Sequence, residues 1–148
     1  MNHEYYKNNK IRVCEKQKEY LKSESGILTQ FKHTSKRREI MNSYGEITKD
    51  QWLEMMNFFD WKCAYSGEAI DNKENRSVDH IIPLLKGGEH CIWNLIPMRR
   101  NYNASKQDKN MIEWYKQQTF FSVERLNKIY LWQGYAYNKY FKYMSCVN

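Results

Sequence analysis

The sequence predicts an α+β fold, with two short strands set inside a mainly helical single domain. Its length of 148 residues is that of one ordinary domain. Apolar residues recur at helical spacing near both ends, whereas the middle, from Cys63 to Met98, holds turns and short β-rich runs. Hydrophobic residues make up 41% and aromatic residues 16% of the chain, which predicts a core built largely on rings.

The N-terminal part is expected to be helical. Ile11, Cys14 and Leu21 stand at helical spacing among Lys and Glu residues, and the pattern breaks at residues 23–26. A second, weaker helix is predicted over residues 27–42.

A third helix is marked by a capping box, formed by Thr48 and Gln51, and is expected to end near Asp60. One apolar stripe on this helix is predicted to belong to the core, and consists of Trp52, Met55, Met56 and Phe59.

Strand signals come next. Residues 77–85 form a β-rich run holding Pro83, Gly87 and Gly88 form a turn, and residues 95–97 form a second extended segment. Short helices are predicted over residues 99–106 and 111–118. Ser122 is then expected to cap a longer helix carrying Val123, Leu126, Ile129, Tyr130, Tyr137 and Phe141.

Charge is distributed unevenly around a net value of +7. Residues 1–47 carry 10 basic and 6 acidic side chains, residues 48–98 carry 5 and 8, and residues 99–148 carry 9 and 3. The pattern suits basic flanks that grip phosphates around a middle that holds a divalent cation. Ordinary variation along a chain is the alternative explanation. The overall charge favours nucleic acid or another anionic surface as partner.

The chain is expected to be soluble and cytosolic. No apolar run approaches the roughly 20 residues of a membrane span, and the first residues lack the hydrophobic stretch of a secretory signal. The cysteines are scattered, without Cys-x-x-Cys spacing, and are expected to be reduced thiols; they are Cys14, Cys63, Cys91 and Cys146.

One segment combines turn glycines with a carboxylate, histidines and carboxamides. It holds an Asp-His-Ile-x-Pro element with Asp79 and His80, a Gly-Gly-x-His element ending at His90, Asn-Leu at Asn94, and Asn-x-x-Lys from Asn103 to Lys106. His80 and Asn94 are 14 residues apart, and Asn94 and Asn103 are 9 apart. In order and spacing these elements resemble the HNH endonuclease family over roughly residues 60–110.

The resemblance implies the ββα-metal fold, a hairpin with a long connecting loop and a helix that closes over one divalent ion. It implies Asp79 and Asn103 as metal ligands, His80 as the general base, Asn94 as the residue that fixes the loop, and His90 as a loop or substrate residue. Independently, neighbours in a strand point to opposite faces, so Asp79 and His80 are expected to have different tasks.

The implied reaction is hydrolysis of phosphodiester bonds in DNA, by nicking or double-strand cleavage. Oxygen ligands with only two protein donors suit Mg²⁺, and Mn²⁺ is expected to substitute. A neutral imidazole can accept a proton from water near neutral pH. Taken alone, each residue has a simpler interpretation as a turn, cap or loop residue; the ordered pattern favours function.

Phosphate contacts are predicted for basic residues in the flanks and beside the last motif element. Any one of them is also compatible with a solvated surface charge. The principal candidates are Lys36, Arg37, Arg38, Arg99, Arg100 and Lys106, with Arg125, Lys128, Lys139 and Lys142 on the last helix.

Many relatives carry two Cys-x-x-Cys knuckles that hold a structural zinc. The corresponding positions here are Cys63 with Ser66 and Arg99 with Tyr102, so one of four sulfur ligands remains. No structural zinc is expected, and hydrophobic contacts are expected to provide the missing stability.

Three regions are predicted: a basic helical extension over residues 1–47, the nuclease core over 48–110 and a helical extension over 111–148. The alternative function is a catalytically silent DNA-binding or protein-interaction module of the same fold. A homodimer and a separate targeting protein are left open, as are homing, packaging, restriction and defence roles. The expected location is the cytoplasm of a bacterial or phage-infected cell.

Overall fold

A two-stranded antiparallel hairpin set among helices forms the framework of the protein. The computed structural model describes residues 36–41 and 47–144. The chain divides into two compact units, residues 1–39 and 40–148, and the architecture below is that of the second. Its elements are α1 (Lys49–Phe58), β1 (Arg76–His80), β2 (Leu95–Arg99), α2 (Arg100–Lys106), α3 (Met111–Lys116) and α4 (Val123–Met144).

The α+β class predicted from the sequence is confirmed. Residues 36–41 are helical, within the span predicted for the second helix, and the first predicted helix lies outside the described residues. No helix in the described part of the chain combines the length and hydrophobicity that crossing a bilayer requires.

Helix α1 begins at the predicted capping box. The Thr48 hydroxyl accepts from the Gln51 amide at 3.2 Å, and the Gln51 side chain accepts from the Thr48 amide at 3.1 Å. These bonds satisfy two donors at the helix start. Met55 and Met56 are buried, as the apolar stripe predicted.

The hairpin pairs β1 with β2, and Asp79 lies opposite Ile96. Strand β1 ends at His80, earlier than predicted. The chain turns there because Asn94 holds the backbone of Ile82, as described below, and a short 3-10 helix follows over Leu84–Lys86.

Gly88 is required by a close backbone approach in the loop between the strands. A Cβ atom at this position would stand 1.9 Å from the Ile82 carbonyl oxygen. Any side chain here would therefore displace backbone. The Gly-Gly element thus closes the loop against the end of β1.

Rings and sulfur atoms make up much of the core, in agreement with the composition. Trp132 is fully buried and donates from Nε1 to the Leu95 carbonyl at 2.9 Å, which fastens α4 to β2. Ser122 caps α4 as predicted, accepting from the Arg125 amide at 3.2 Å. The buried face of α4 runs through Ile129, Trp132 and Ala136, whereas Val123, Tyr130, Tyr137 and Phe141 are exposed.

Three of the four positions that the resemblance aligns with zinc-binding cysteines contact Glu68. Tyr102 donates to the Glu68 carboxylate at 2.6 Å, Arg99 pairs with it at 3.2 Å, and the Ser66 hydroxyl accepts from the Glu68 amide at 3.3 Å. Cys63, at the fourth position, is a buried free thiol. A polar cluster thus joins the turn that holds Ser66 and Glu68 to the end of β2 and to α2.

We predict that Glu68→Gln lowers the thermal midpoint at pH 7 by roughly 2 °C, because the charge-assisted bonds weaken. Hydrogen bonds from Tyr102 and Ser66 hold the pKa of Glu68 below its ordinary value, against the effect of burial. The bonds therefore stabilise the fold above the ordinary carboxyl range and are lost as the pH falls through the folded-state value. The difference from wild type should therefore shrink as the pH falls below the ordinary carboxyl range.

Thermal melts of wild type, Glu68→Gln and a control, Glu74→Gln, check this. Glu74 is exposed in the turn before β1. In buffer without added divalent ion, treatment with EDTA should leave the wild-type midpoint unchanged. A large drop with EDTA would instead indicate that a metal holds these segments.

Candidate active site

The end of β1 carries the two residues on which the site is built. Asp79 and His80 are both buried, with 4% and 8% of their surfaces exposed. They contact different groups, since Asp79 bonds to Tyr65 and Lys106 and the ring of His80 bonds to His90. This separation is the one predicted from strand alternation.

The Asp79 carboxylate receives a donor at each oxygen. The Tyr65 hydroxyl donates to Oδ2 at 2.9 Å, and the Lys106 ammonium donates to Oδ1 at 3.1 Å. Lys106 is fully buried and also donates to the His80 carbonyl at 3.3 Å. These contacts set the orientation of the carboxylate.

Three hydrogen bonds fix the backbone at Tyr65 and its neighbour. Its carbonyl accepts from the Tyr115 hydroxyl at 2.7 Å and from Arg125 Nε at 2.6 Å, and the adjacent Ala64 amide donates to Pro97 of β2 at 2.9 Å. Burial, followed by the neighbouring Asp79 carboxylate, raises the pKa of Tyr65 well above its ordinary value. Tyr65 therefore keeps its proton and acts as a permanent donor to Asp79.

Sequence reasoning did not find the contacts of Tyr65 and Lys106 with Asp79. Tyr65 lies outside the four motif elements. Lys106 lies three residues after Asn103, a spacing that places both on one face of α2, and this was the available signal.

Asn94 connects the two sides of the loop between the strands. Its Oδ1 accepts from the Ile82 amide at 2.9 Å, and its Nδ2 donates to the carbonyls of Ile82 at 2.9 Å and Glu89 at 2.8 Å. It is 3% exposed, so these bonds form away from water. The side chain thus clamps the backbone that follows His80 to the backbone that precedes His90.

Asn103, on α2, lies against β1 beside Asp79. Its amide nitrogen donates to Ser77 Oγ at 3.1 Å and to the Val78 carbonyl at 3.3 Å. Because the nitrogen is directed at the strand, the carbonyl oxygen is the end of the amide that remains suited to a metal. Helix α2 therefore places an oxygen donor beside Val78, the residue before Asp79.

A carboxylate and a carboxamide are oxygen donors of the kind that Mg²⁺ and Mn²⁺ accept, and the donor set fits a hard divalent ion. Within residues 36–41 and 47–144, no three His, Cys, Asp or Glu side chains are grouped as they would be around a closed metal cage. An ion held by two protein oxygen donors would take its other ligands from water and substrate.

The basic residues predicted to contact phosphate differ in their exposure and in their protein partners. Residues 36–39, with Lys36, Arg37 and Arg38, are exposed on their helix. Arg100 is partly engaged, donating to the carbonyls of Lys73 and Arg76. Arg99 pairs with Glu68.

Lys106 requires a correction. The sequence placed it among the phosphate contacts, but its ammonium is sealed inside the protein against Asp79. On α4, Arg125 bonds to the carbonyls of Tyr65 and Phe120. Lys128 pairs with Asp60, so these two basic side chains also have protein partners.

Two comparisons with known sequences agree with this geometry. Residues 63–111 match the family model described as HNH endonuclease. YoqL, a protein of the SPbeta prophage of Bacillus subtilis (strain 168) whose name provisionally assigns it to the HNH endonucleases, is 33% identical over 100 residues. The aligned region is 58% of this chain and 41% of YoqL, so the chain spans less than half of that relative.

Among solved structures, the crystal structure of the Type II-C Cas9 enzyme from Actinomyces naeslundii is similar at 20% identity and a TM-score of 0.46, over 72% of this chain and 12% of the other. The sequence match encloses the hairpin, Asp79, His80, Asn94 and Asn103. Residues 63–111 are therefore similar to the HNH endonuclease family, in agreement with the sequence prediction.

Proposed function

We propose that this protein is a divalent-metal-dependent endonuclease that hydrolyses phosphodiester bonds in DNA, with His80 as the general base. The observation that carries the proposal is the arrangement at the end of β1. Asp79 and His80 lie buried at the end of the strand, and the carboxamide of Asn103 bonds to Ser77 and Val78, the two residues that precede Asp79. The name of YoqL, which places it among endonucleases, supports the same reaction class.

Asp79 and Asn103 would hold the metal ion. When bound, a hard divalent cation supplies positive charge that stabilises the scissile phosphate and the departing 3′ oxygen. Mg²⁺ is the proposed ion and Mn²⁺ its substitute, because both accept oxygen donors. The protein's own contribution is the fixed carboxylate, which Tyr65 and Lys106 hold at its two oxygens.

His80 would take a proton from the attacking water, and attack at phosphorus would leave a 5′-phosphate and a 3′-hydroxyl. The loop clamp at Asn94 keeps the residues after His80 in place, which fixes the ring relative to the strand. A base held in one orientation lowers the barrier by avoiding rearrangement during the reaction.

The buried ion pair between Asp79 and Lys106 argues against the catalytically silent alternative. Replacement of a buried pair by apolar residues of similar volume is often neutral or stabilising. The pair joins α2 to the end of β1 whether or not the protein is an enzyme. A metal site gives an additional reason to keep a charged carboxylate at this position.

DNA would bind through exposed basic side chains, with Lys36, Arg37, Arg38 and Arg100 as the proposed phosphate contacts. The net charge of +7 favours association with the anionic backbone. Such contacts position the duplex without reading its sequence.

We predict that His80→Ala abolishes nicking of supercoiled plasmid in the presence of Mg²⁺, since loss of a general base costs roughly 10²–10⁴-fold in rate. The matched control is Glu113→Ala, an exposed residue of α3, which should nick at the wild-type rate. Circular dichroism should show that both variants are folded. Wild-type rates in folded His80→Ala would reject the assignment of the base.

We predict that Asn103→Ala weakens metal binding at least about tenfold, because one of two protein oxygen donors is lost. Mn²⁺ titration followed by electron paramagnetic resonance measures this without relying on activity. Asn103→Asp keeps an oxygen donor and should restore binding. Equal Mn²⁺ affinity in wild type and the alanine variant would exclude Asn103 as a ligand.

We predict that Tyr65→Phe lowers the nicking rate about 10–100-fold, the usual effect of losing a group that orients a metal ligand. The phenylalanine ring keeps the packing of Tyr65 but cannot donate to Asp79. The control, Tyr115→Phe, removes a buried hydroxyl that bonds to the Tyr65 carbonyl. Its stability loss should be similar, about 1–3 kcal/mol, with a smaller loss of rate. Equal rates in the two variants would contradict the orienting role.

A further inference from the structure

An open cleft of about 540 Å³ lies between the loop that joins the two strands and helix α4. It is lined by loop residues between Ile82 and Asn94 and by α4 residues between Tyr130 and Asn138. Its volume falls within the range of about 300–1,000 Å³ that is usual for sites that bind small organic groups. The proposed roles of the metal ligands and the base leave this cleft without a function.

Aromatic rings and carboxamides make up much of the lining of the cleft. Trp93, Tyr130 and Tyr137 supply rings, and Gln133 and Asn138 supply amides. Tyr130 and Tyr137 are 41% and 43% exposed, so part of each side chain is accessible to a ligand. The Trp93 ring contacts that of Tyr137 edge to face, with centroids 5.6 Å apart, and so helps to hold it. Such a lining suits a planar group with polar edges.

The charge of the cleft comes from Glu89. No other residue of the lining, within the part of the chain that the structure describes, is charged. Glu89 Oε2 accepts from Trp93 Nε1 at 3.1 Å, whereas Oε1 makes no hydrogen bond or ion pair with the described residues. A carboxylate accepts hydrogen bonds and donates none. The cleft therefore repels a phosphate and favours a neutral group that offers N–H donors.

Gly134 keeps the cleft open on the side of the helix. It lies inside α4, where glycine is unfavourable relative to alanine. Packing does not require it, because a Cβ atom at this position would meet no atom within 4 Å. Tyr130 and Tyr137 are seven residues apart, or about 10.5 Å along the helix axis, with Gly134 between them. The glycine thus leaves free space between two rings.

The cleft and the candidate active site share the loop that follows β1. Ile82, in the wall of the cleft, comes two residues after His80, so their Cα atoms are at most about 7 Å apart. Asn94, which clamps Ile82, also lines the cleft. A DNA strand with a phosphodiester bond at the active site would therefore have a nearby base within reach of the cleft.

We propose that the cleft binds an unpaired nucleobase of the DNA substrate, a base with an exocyclic amino group such as cytosine or adenine. The base stacks on the tyrosine rings, and its amino group donates to Glu89. Stacking on aromatic side chains is the usual way in which proteins hold unpaired bases, and a carboxylate accepts from the amino group of cytosine. This inference rests on the proposed function, because it names the kind of DNA that the endonuclease takes: DNA with a single-stranded, bulged or extruded base.

The first test compares three short duplexes that differ at one extra nucleotide, which carries an unpaired cytosine, an unpaired thymine or no base. Binding to the full chain is measured by fluorescence anisotropy in EDTA, where a metal-dependent nuclease does not cut. We expect the wild type to bind the cytosine bulge at least about fivefold more tightly than the abasic bulge, with thymine between them. Equal affinity for the cytosine and abasic bulges would overturn the proposal.

Gly134→Leu fills the cleft without displacing other atoms at the Cβ position. We expect it to remove the preference for the cytosine bulge and to leave affinity for the abasic bulge unchanged. Leucine is a better helix former than glycine, so the thermal midpoint should be at least that of the wild type. The control, Asn127→Leu, adds a leucine at an exposed position of α4 outside the cleft and should keep the preference. A preference that survives in Gly134→Leu would overturn the proposal.

Glu89→Gln tests which base is recognised. Glutamine keeps an acceptor for Trp93 and replaces the second oxygen by an amide nitrogen that donates. Because thymine offers carbonyl acceptors and cytosine an amino group, the ratio of cytosine to thymine affinity should fall at least about fivefold. An unchanged ratio would overturn the proposal, since the carboxylate would then not recognise the base.

A second copy of the chain is the other occupant that the experiments distinguish. A wild-type dimer that Gly134→Leu converted to a monomer in sedimentation experiments would make the cleft a protein interface and overturn the proposal. A wild type that cuts no DNA with any divalent ion would refute the endonuclease function, whereas the cytosine preference in EDTA would still report on the cleft. An active enzyme that binds all three duplexes equally would refute the cleft proposal alone.

Discussion

The buried pair between Lys106 and Asp79 is the interaction on which the rest of the site depends. It joins α2 to the end of β1 and places two opposite charges where almost no water reaches them. Two charges removed from water are stable only when their remaining hydrogen-bonding capacity is also satisfied. The Tyr65 hydroxyl donates to the second oxygen of the carboxylate, and the ammonium also donates to the His80 carbonyl. The hydrogen bonds of the pair therefore hold the strand, the helix and the segment around Tyr65 together.

The hairpin alone would not be stable enough to hold the site. Two strands of five residues give a small sheet that would be marginal on its own. The sheet is supported by α2 through Asn103 and Lys106, and by α4 through the bond from Trp132 to Leu95. These contacts connect the hairpin to two helices and so fix the strand that carries Asp79.

Local sequence signals predicted much of this fold, because they depend on neighbours in the chain. The capping box at Thr48 and the alternation that separates Asp79 from His80 are signals of this kind. The contacts of Asp79 were not predictable in this way, since Tyr65 precedes it by 14 residues and Lys106 follows it by 27. A buried lysine also contradicts the ordinary expectation that a basic residue faces solvent.

Helix α4 shows the same limit. Its aromatic residues occur on more than one face of the helix, so the periodicity of the sequence could not predict which face is buried. Trp132 lies on the buried face, where its indole nitrogen donates to the Leu95 carbonyl. Tyr137 and Phe141 lie at the surface and stack on each other, with ring centroids 4.7 Å apart.

Tyr65 connects the aromatic core to the candidate active site. Tyr65 packs its ring against Trp114 and Tyr115, with centroids 5.2 and 4.9 Å away, and directs its hydroxyl at Asp79. One side chain therefore belongs to both core and site, because a tyrosine has an apolar body and a polar end. On the other face of the strand, His80 and His90 bond to each other at the edge of the loop. Changes on the Asp79 side should affect folding and reaction together, whereas changes at the histidine pair can alter the reaction while the core stays intact.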